Sequence, residues 1–253
     1  MHVLGIDLAA RPATTGAVVL ESGGAGRWSA RSVGSPADDD LLVELARDAV
    51  AVGVDAPLGW PDAFVDAVTA HHGFRPWPGA TDRAPMTHRE TDRRTRAITG
   101  RLPLSVSADL LGVVAMRCAL LQRRWADEIW GGPEPRDGSG VLGETYPAAA
   151  FAVWGIDARG YKARRRPEEA SEVRSSIVSE LTRRTDRWLG LDGVDDACIA
   201  SDHVLDALVC AIVAVAMTRG ATEPPPADLI ETARREGWIR VPTCTLDDVG
   251  SPR

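Results

Sequence analysis

The segment that most restricts the fold lies between Ser201 and Arg219, where from Val204 to Met217 the only polar side chain is Asp206. The spacing predicts a helix, with Ser201 or Asp202 as its N-cap. A helix without a polar face must be enclosed on nearly every side. No run in the chain reaches the length of about 18 apolar residues needed to cross a bilayer, so that enclosure is expected to be a protein core. The chain has 253 residues, 44% of them hydrophobic and 26% charged, which is ample for such a core and excludes a disordered or collagen-like chain.

The remaining segments predict what packs around that helix. Residues 3–9 alternate, with Leu4, Ile6 and Leu8 on one side and Gly5 and Asp7 on the other. A turn at Arg11-Pro12-Ala13 leads into a second strand over Thr15–Glu21, broken at Gly23-Gly24, and a third over Arg27–Val33. Asp38-Asp39-Asp40 opens a helix, Ala51–Asp55 reads as a short buried strand, Ser107–Arg124 as a helix, Val141–Tyr146 as a strand and Pro167–Trp188 as a charged amphipathic helix. Pro224-Pro225-Pro226 reads as a linker. Three early strands followed by strand–helix crossovers predict an α/β fold, a mixed sheet with helices on its faces.

Four acids stand where acids are costly. Asp7 lies within the first strand, Asp55 closes the short buried strand, Glu144 sits in the apolar run before Tyr146-Pro147, and Asp206 is inside the apolar helix. A lone ionised carboxylate there is expensive unless it is paired or bound to a cation. One acid per core element lets the four converge at one end of the sheet, where a hard divalent cation would relieve their repulsion. Asp202 shares a helix face with Asp206 and is open to two readings, a cap or a ligand. His203 is likewise a structural or a site histidine.

Gly5-Ile6-Asp7-Leu8-Ala9, Val54-Asp55-Ala56-Pro57-Leu58-Gly59, Thr91-Asp92-Arg93, Glu144-Thr145-Tyr146-Pro147-Ala148-Ala149, His203-Val204-Leu205-Asp206-Ala207-Leu208 and Glu236-Gly237-Trp238-Ile239 occur in that order. Together they resemble the predicted RNase H-like nuclease family, formerly a domain of unknown function, DUF429. The resemblance runs over nearly the whole chain. It implies one RNase H-like domain over residues 1–253, with Asp7 and Asp206 as metal ligands. The His203–Asp206 motif is also similar to the last acidic motif of Holliday-junction resolvases.

The chemistry expected of such a site is phosphodiester hydrolysis assisted by Mg²⁺ or Mn²⁺, whose all-oxygen preference suits Asp and Glu. Two ions are expected, with Asp7 bridging, Asp55 and Glu144 holding one ion or positioning water, and Asp206 holding the other. A nucleic acid or nucleotide substrate needs cations as well. The stretch at about 73–104, an Arg- and Pro-rich insertion, carries seven arginines, Arg93 and Arg96 among them, and Lys162-Ala163-Arg164-Arg165-Arg166 forms a second cluster. Arg93, Arg96, Lys162 and His203 are therefore candidate substrate contacts, against the alternative that Arg93 and Arg96 form ion pairs with Glu90 or Asp92. Trp60 and Trp77 read as stacking platforms or as packing for the long loop.

The net charge of −7 excludes a protein that coats nucleic acid by bulk charge. Cys118, Cys198, Cys210 and Cys244 form no CxxC pair and no zinc pattern, and Cys118 and Cys210 read as buried small hydrophobes. The N-terminus lacks the features of a signal peptide, so a cytoplasmic protein with no membrane contact is expected. A competing reading is a nucleotide-binding ATPase or small-molecule kinase with the related actin-like or sugar-kinase core. Its phosphate-holding Gly, Thr or Ser residues do not follow Asp7, where Leu8-Ala9-Ala10-Arg11-Pro12 stands instead.

Overall fold

In a computed structural model, residues 1–23, 26–78, 83–107, 109 and 111–250 are described. The elements in chain order are β1 (His2–Asp7), β2 (Gly16–Ser22), β3 (Trp28–Ser32), α1 (Asp39–Ala46), β4 (Ala49–Asp55), α2 (Asp62–His72), α3 (Ala84–Thr87), α4 (Glu90–Thr99), α5 (Leu111–Trp125), β5 (Leu142–Glu144), α6 (Pro147–Trp154), α7 (Pro167–Thr185), β6 (Leu189–Gly190), α8 (Asp195–Ala200), α9 (Asp202–Thr218) and α10 (Ile230–Glu236).

The six strands form one mixed sheet in the order β5-β4-β1-β2-β3-β6. β1, β2 and β3 run as an antiparallel meander, and β4 and β5 add in parallel on the other side of β1. This is the α/β architecture that the strand and helix pattern predicts. The break expected at Gly24 falls outside the described residues.

Alternation along the strands divides the core into two layers. Leu4, Ile6, Val52, Val54 and Leu142 face one way and pack against α1 and α5, with Leu42, Cys118, Leu121 and Trp125. Val3, Val18, Leu20 and Ala51 face the other way, onto α9 and the layer of α6, α7 and α8 behind it. Residues 204–216 of α9 are all buried, as a helix with no polar face requires. Gly5 lets α9 lie directly on the sheet: a Cβ there would stand 2.1 Å from the Ala207 carbonyl oxygen and 2.2 Å from the Ala211 nitrogen. Any side chain at residue 5 would push α9 away from β1. No helix among the described residues is long and apolar enough to cross a membrane.

The insertion is more ordered than its weak hydrophobic periodicity predicts. It contains α3 and α4, while residues 79–82 within it lie outside the described residues. The buried residues of α4 are Thr91, Asp92 and Thr95, so its inward face is polar and an apolar-stripe reading misses it. Its place is fixed by hydrogen bonds. The Glu236 carboxylate accepts from the backbone N–H of Asp62 at the start of α2 and of Glu90 at the start of α4, both at 2.8 Å, and so caps two helices. The Thr91 hydroxyl accepts from Ile239 N–H at 2.7 Å. The chain after the proline run therefore folds back onto the body, with Ile239 bridging Glu144.

Candidate metal centre

Asp7 and Asp55 are opposite each other at the C-terminal ends of the paired parallel strands β1 and β4. Both share the parity of Gly5, so their side chains project toward the α9 layer. Asp206, one turn into α9, meets them there. One carboxylate oxygen from each of Asp7, Asp55 and Asp206 lies within 4.8 Å of the others. Three acids from three separate elements thus converge, as their placement in apolar segments predicts.

The flanking groups act on this cluster unequally. His203 Nδ1 donates to Asp7 Oδ2 at 2.6 Å. Its position depends on Gly16, the antiparallel partner of Asp7, since a Cβ at residue 16 would stand 2.3 Å from the His203 carbonyl oxygen. Tyr161 Oη donates to Asp206 Oδ1 at 2.8 Å, and Lys162 Nζ stands 2.5 Å from Asp206 Oδ2 as an ion pair without hydrogen-bond direction. Burial pushes Asp55 well above the usual carboxylate range, and the neighbouring Asp7 charge adds to it. Burial also raises Asp206 to about 6, with Lys162 pulling back and Asp7 pushing up. His203 is raised, chiefly by its hydrogen bond to Asp7. The cluster holds more negative charge than its surroundings compensate.

Glu144 is not in this group. Its strand partner is Val54, so it has the opposite parity to Asp55 and its side chain leaves the other face of the sheet. There it meets Arg89, whose guanidinium donates to both Glu144 oxygens at 2.6 and 2.7 Å and to Asp92 Oδ1 at 2.8 Å. Leu58 N–H donates to Glu144 Oε2 at 3.1 Å. Burial raises the Glu144 carboxyl, opposed by the Arg89 charge. All three side chains are buried, and Arg89, Asp92 and Glu144 form a closed network that ties α4 to β5. Sequence reasoning overlooked Arg89; the signal was Arg-x-x-Asp opening a helix beside an acid that needed a partner.

The other candidates are dispersed. Arg93 is exposed and paired with Glu90, with its Nη1 on the His88 carbonyl at 2.7 Å. That is the ion-pair alternative, and Arg93 does not line the site. Arg96 is exposed on α4 and does not line it either. Asp202 occupies the first turn of α9 outside the carboxylate group. Trp77 is half-exposed and stands edge-on to His71. Cys118 and Cys210 are buried, as read from their neighbours.

Beside the carboxylates opens a cleft of about 430 Å³. Asp7, Asp55, Glu144 and Lys162 line it, and its outer wall is apolar, with Pro103, Leu104 and Leu111 from the insertion and the segment after it. The donor set is all oxygen, which suits Mg²⁺ or Mn²⁺ rather than zinc. The buried Asp206 Oδ2 accepts no well-directed hydrogen bond and is met by the Lys162 ammonium, a cation already drawn to the cluster. The residues fit a divalent ion.

No curated protein and no solved structure matches the chain. The family described as "Protein of unknown function (DUF429)" matches residues 5–230, a span that runs from within β1 to the first residue of α10 and takes in Asp7, Asp55, Asp206 and the Arg89 network. The chain belongs to the DUF429 family.

Proposed function

We propose that the protein is a metal-dependent phosphodiester hydrolase, a nuclease of RNase H-like fold. The observation that carries this reading is the convergence of Asp7, Asp55 and Asp206 within 4.8 Å, with Asp7 and Asp55 lining a cleft. Three like charges, Asp7 and Asp206 buried and Asp55 partly so, are costly as a purely structural device. The sheet order, with Asp7 on β1 where the antiparallel meander meets the parallel strands β4 and β5, supports the RNase H-like assignment.

A divalent cation bound there supplies Lewis-acid polarisation of a phosphoryl oxygen and a more acidic water. Asp7 and Asp55 would hold it, with the Asp206 carboxylate beside them adding to the negative field. His203 fixes the rotamer of Asp7 through its 2.6 Å hydrogen bond. Lys162 lines both the cleft and a neighbouring basic groove of about 460 Å³. In that groove Arg164 and Arg165 are exposed and have no ion-pair partner among the described residues, whereas Arg159 and Arg166 pair with Asp157 and Glu169. Such a groove suits a polyanion that passes the carboxylates, hence a polynucleotide backbone rather than a lone nucleotide. Buried thiols at Cys118, Cys198 and Cys210 fit a reducing, cytoplasmic setting.

The test is cleavage of single-stranded, duplex and branched DNA, of RNA and of RNA–DNA hybrids, with Mg²⁺ or Mn²⁺. Wild type is expected to cut at least one of these only with metal, and Asp7→Asn and Asp55→Asn to lose that activity. Cleavage that persists in both variants, or no metal-dependent cleavage of any substrate, would refute the reading.

A further inference from the structure

We propose that the centre takes a single divalent ion, and that the Lys162 ammonium occupies the place a second ion would need. The inference rests on the metal-dependent reading above and corrects its two-ion form.

The oxygens of the cluster are not equally available. Asp206 has both committed, Oδ1 to the Tyr161 hydroxyl and Oδ2 to Lys162 Nζ. Asp7 has Oδ2 committed to His203. Asp7 Oδ1 and both oxygens of Asp55 accept no hydrogen bond and form no ion pair among the described residues. The open donors therefore face each other across the β1–β4 pairing, which is room for one ion between Asp7 and Asp55.

Lys162 is held at this position and does not reach it by chance. The preceding residue, Tyr161, is buried against Phe151, edge-on with ring centroids 5.7 Å apart, and its carbonyl accepts from Arg174 Nη1 at 2.7 Å. Lys162 Nζ then lies 5.3 Å from the Tyr161 ring centroid, on the path between the basic groove and Asp206. A second divalent ion on Asp206 would have to expel this ammonium against its tether.

The test counts bound Mn²⁺ per chain by electron paramagnetic resonance or equilibrium dialysis, with metal as the only ligand. Wild type is expected to bind one ion, and Lys162→Arg, which keeps a cation, also one. Lys162→Ala and Lys162→Gln, which free Asp206 Oδ2, are expected to bind two. Two ions in wild type, or one in both neutral variants, would overturn the inference and leave the metal-dependent reading intact. No bound ion in wild type would overturn both.

Discussion

Two groups of buried acids stand on opposite faces of the same sheet, and they are built to different ends. On one face Glu144 and Asp92 share Arg89, with every Glu144 oxygen hydrogen-bonded and one guanidinium set between the two carboxylates. On the other, Asp7, Asp55 and Asp206 crowd together against one half-exposed lysine and one histidine. The first arrangement is what a buried acid needs to be structural. The second leaves donors open, which is what a cation site needs. The contrast teaches that burial of an acid in an apolar segment does not distinguish the two roles; the partner does.

The largest effect is expected where the closed, hydrogen-bonded group is broken. Arg89→Ala leaves two buried carboxylates without a counter-charge and unties α4 from β5, so it should destabilise the fold by about 3–5 kcal/mol in denaturant titration. A loss below about 1 kcal/mol would show that the network is not the structural half of the comparison.

Metal should separate the two groups next. At about 100 times its dissociation constant, Mn²⁺ should stabilise wild type by roughly 2.7 kcal/mol. Glu144→Gln should lower the starting stability yet keep this gain, and Asp55→Asn should lose the gain while the metal-free protein is at least as stable as wild type, one repelling charge having gone. Melting curves of the two variants with and without Mn²⁺ check this, and the reverse pattern would exchange the roles of Glu144 and Asp55.

A smaller effect is expected from pH. Asp206 is raised from the ordinary 3.8 to about 6, and Asp55 lies well above its ordinary value. Between those values the folded protein binds more protons than the unfolded chain, so metal-free stability must fall as pH rises. His203 acts in the same direction: its pKa is raised above 6.5, so its contribution is present below that value and is lost as pH rises through the folded one. The melting temperature in EDTA should therefore be higher at pH 5.5 than at pH 7.5. Saturating Mg²⁺ should shrink or reverse the difference, because the ion binds the ionised carboxylates. A metal-free protein that gains stability toward pH 7.5 would contradict the charge imbalance.

Much of this was legible in the chain. The meander, the strand closed by Asp55 and the apolar helix around Asp206 follow from apolar patterns, and the acids within them announce a site. Glu144 was harder to read, because its role depends on register: one residue of offset sends a side chain to the opposite face, and strand periodicity alone does not say which face faces α9. α4 was hidden because Thr91, Asp92 and Thr95 make its buried side polar, and its anchor, Glu236, is 146 residues distant from Glu90. The Lys162–Asp206 pair joins a loop to a helix across 44 residues by tertiary folding, which no local pattern encodes.

The most direct measurement is a crystal structure of the protein soaked in Mn²⁺, with anomalous scattering to locate the metal. The account predicts an anomalous peak bonded to oxygens of Asp7 and Asp55, at distances of about 2.0–2.6 Å, with Arg89 still on Glu144. A peak bonded to Glu144 in place of Arg89, or no peak near Asp7 and Asp55 at saturating Mn²⁺, would contradict it.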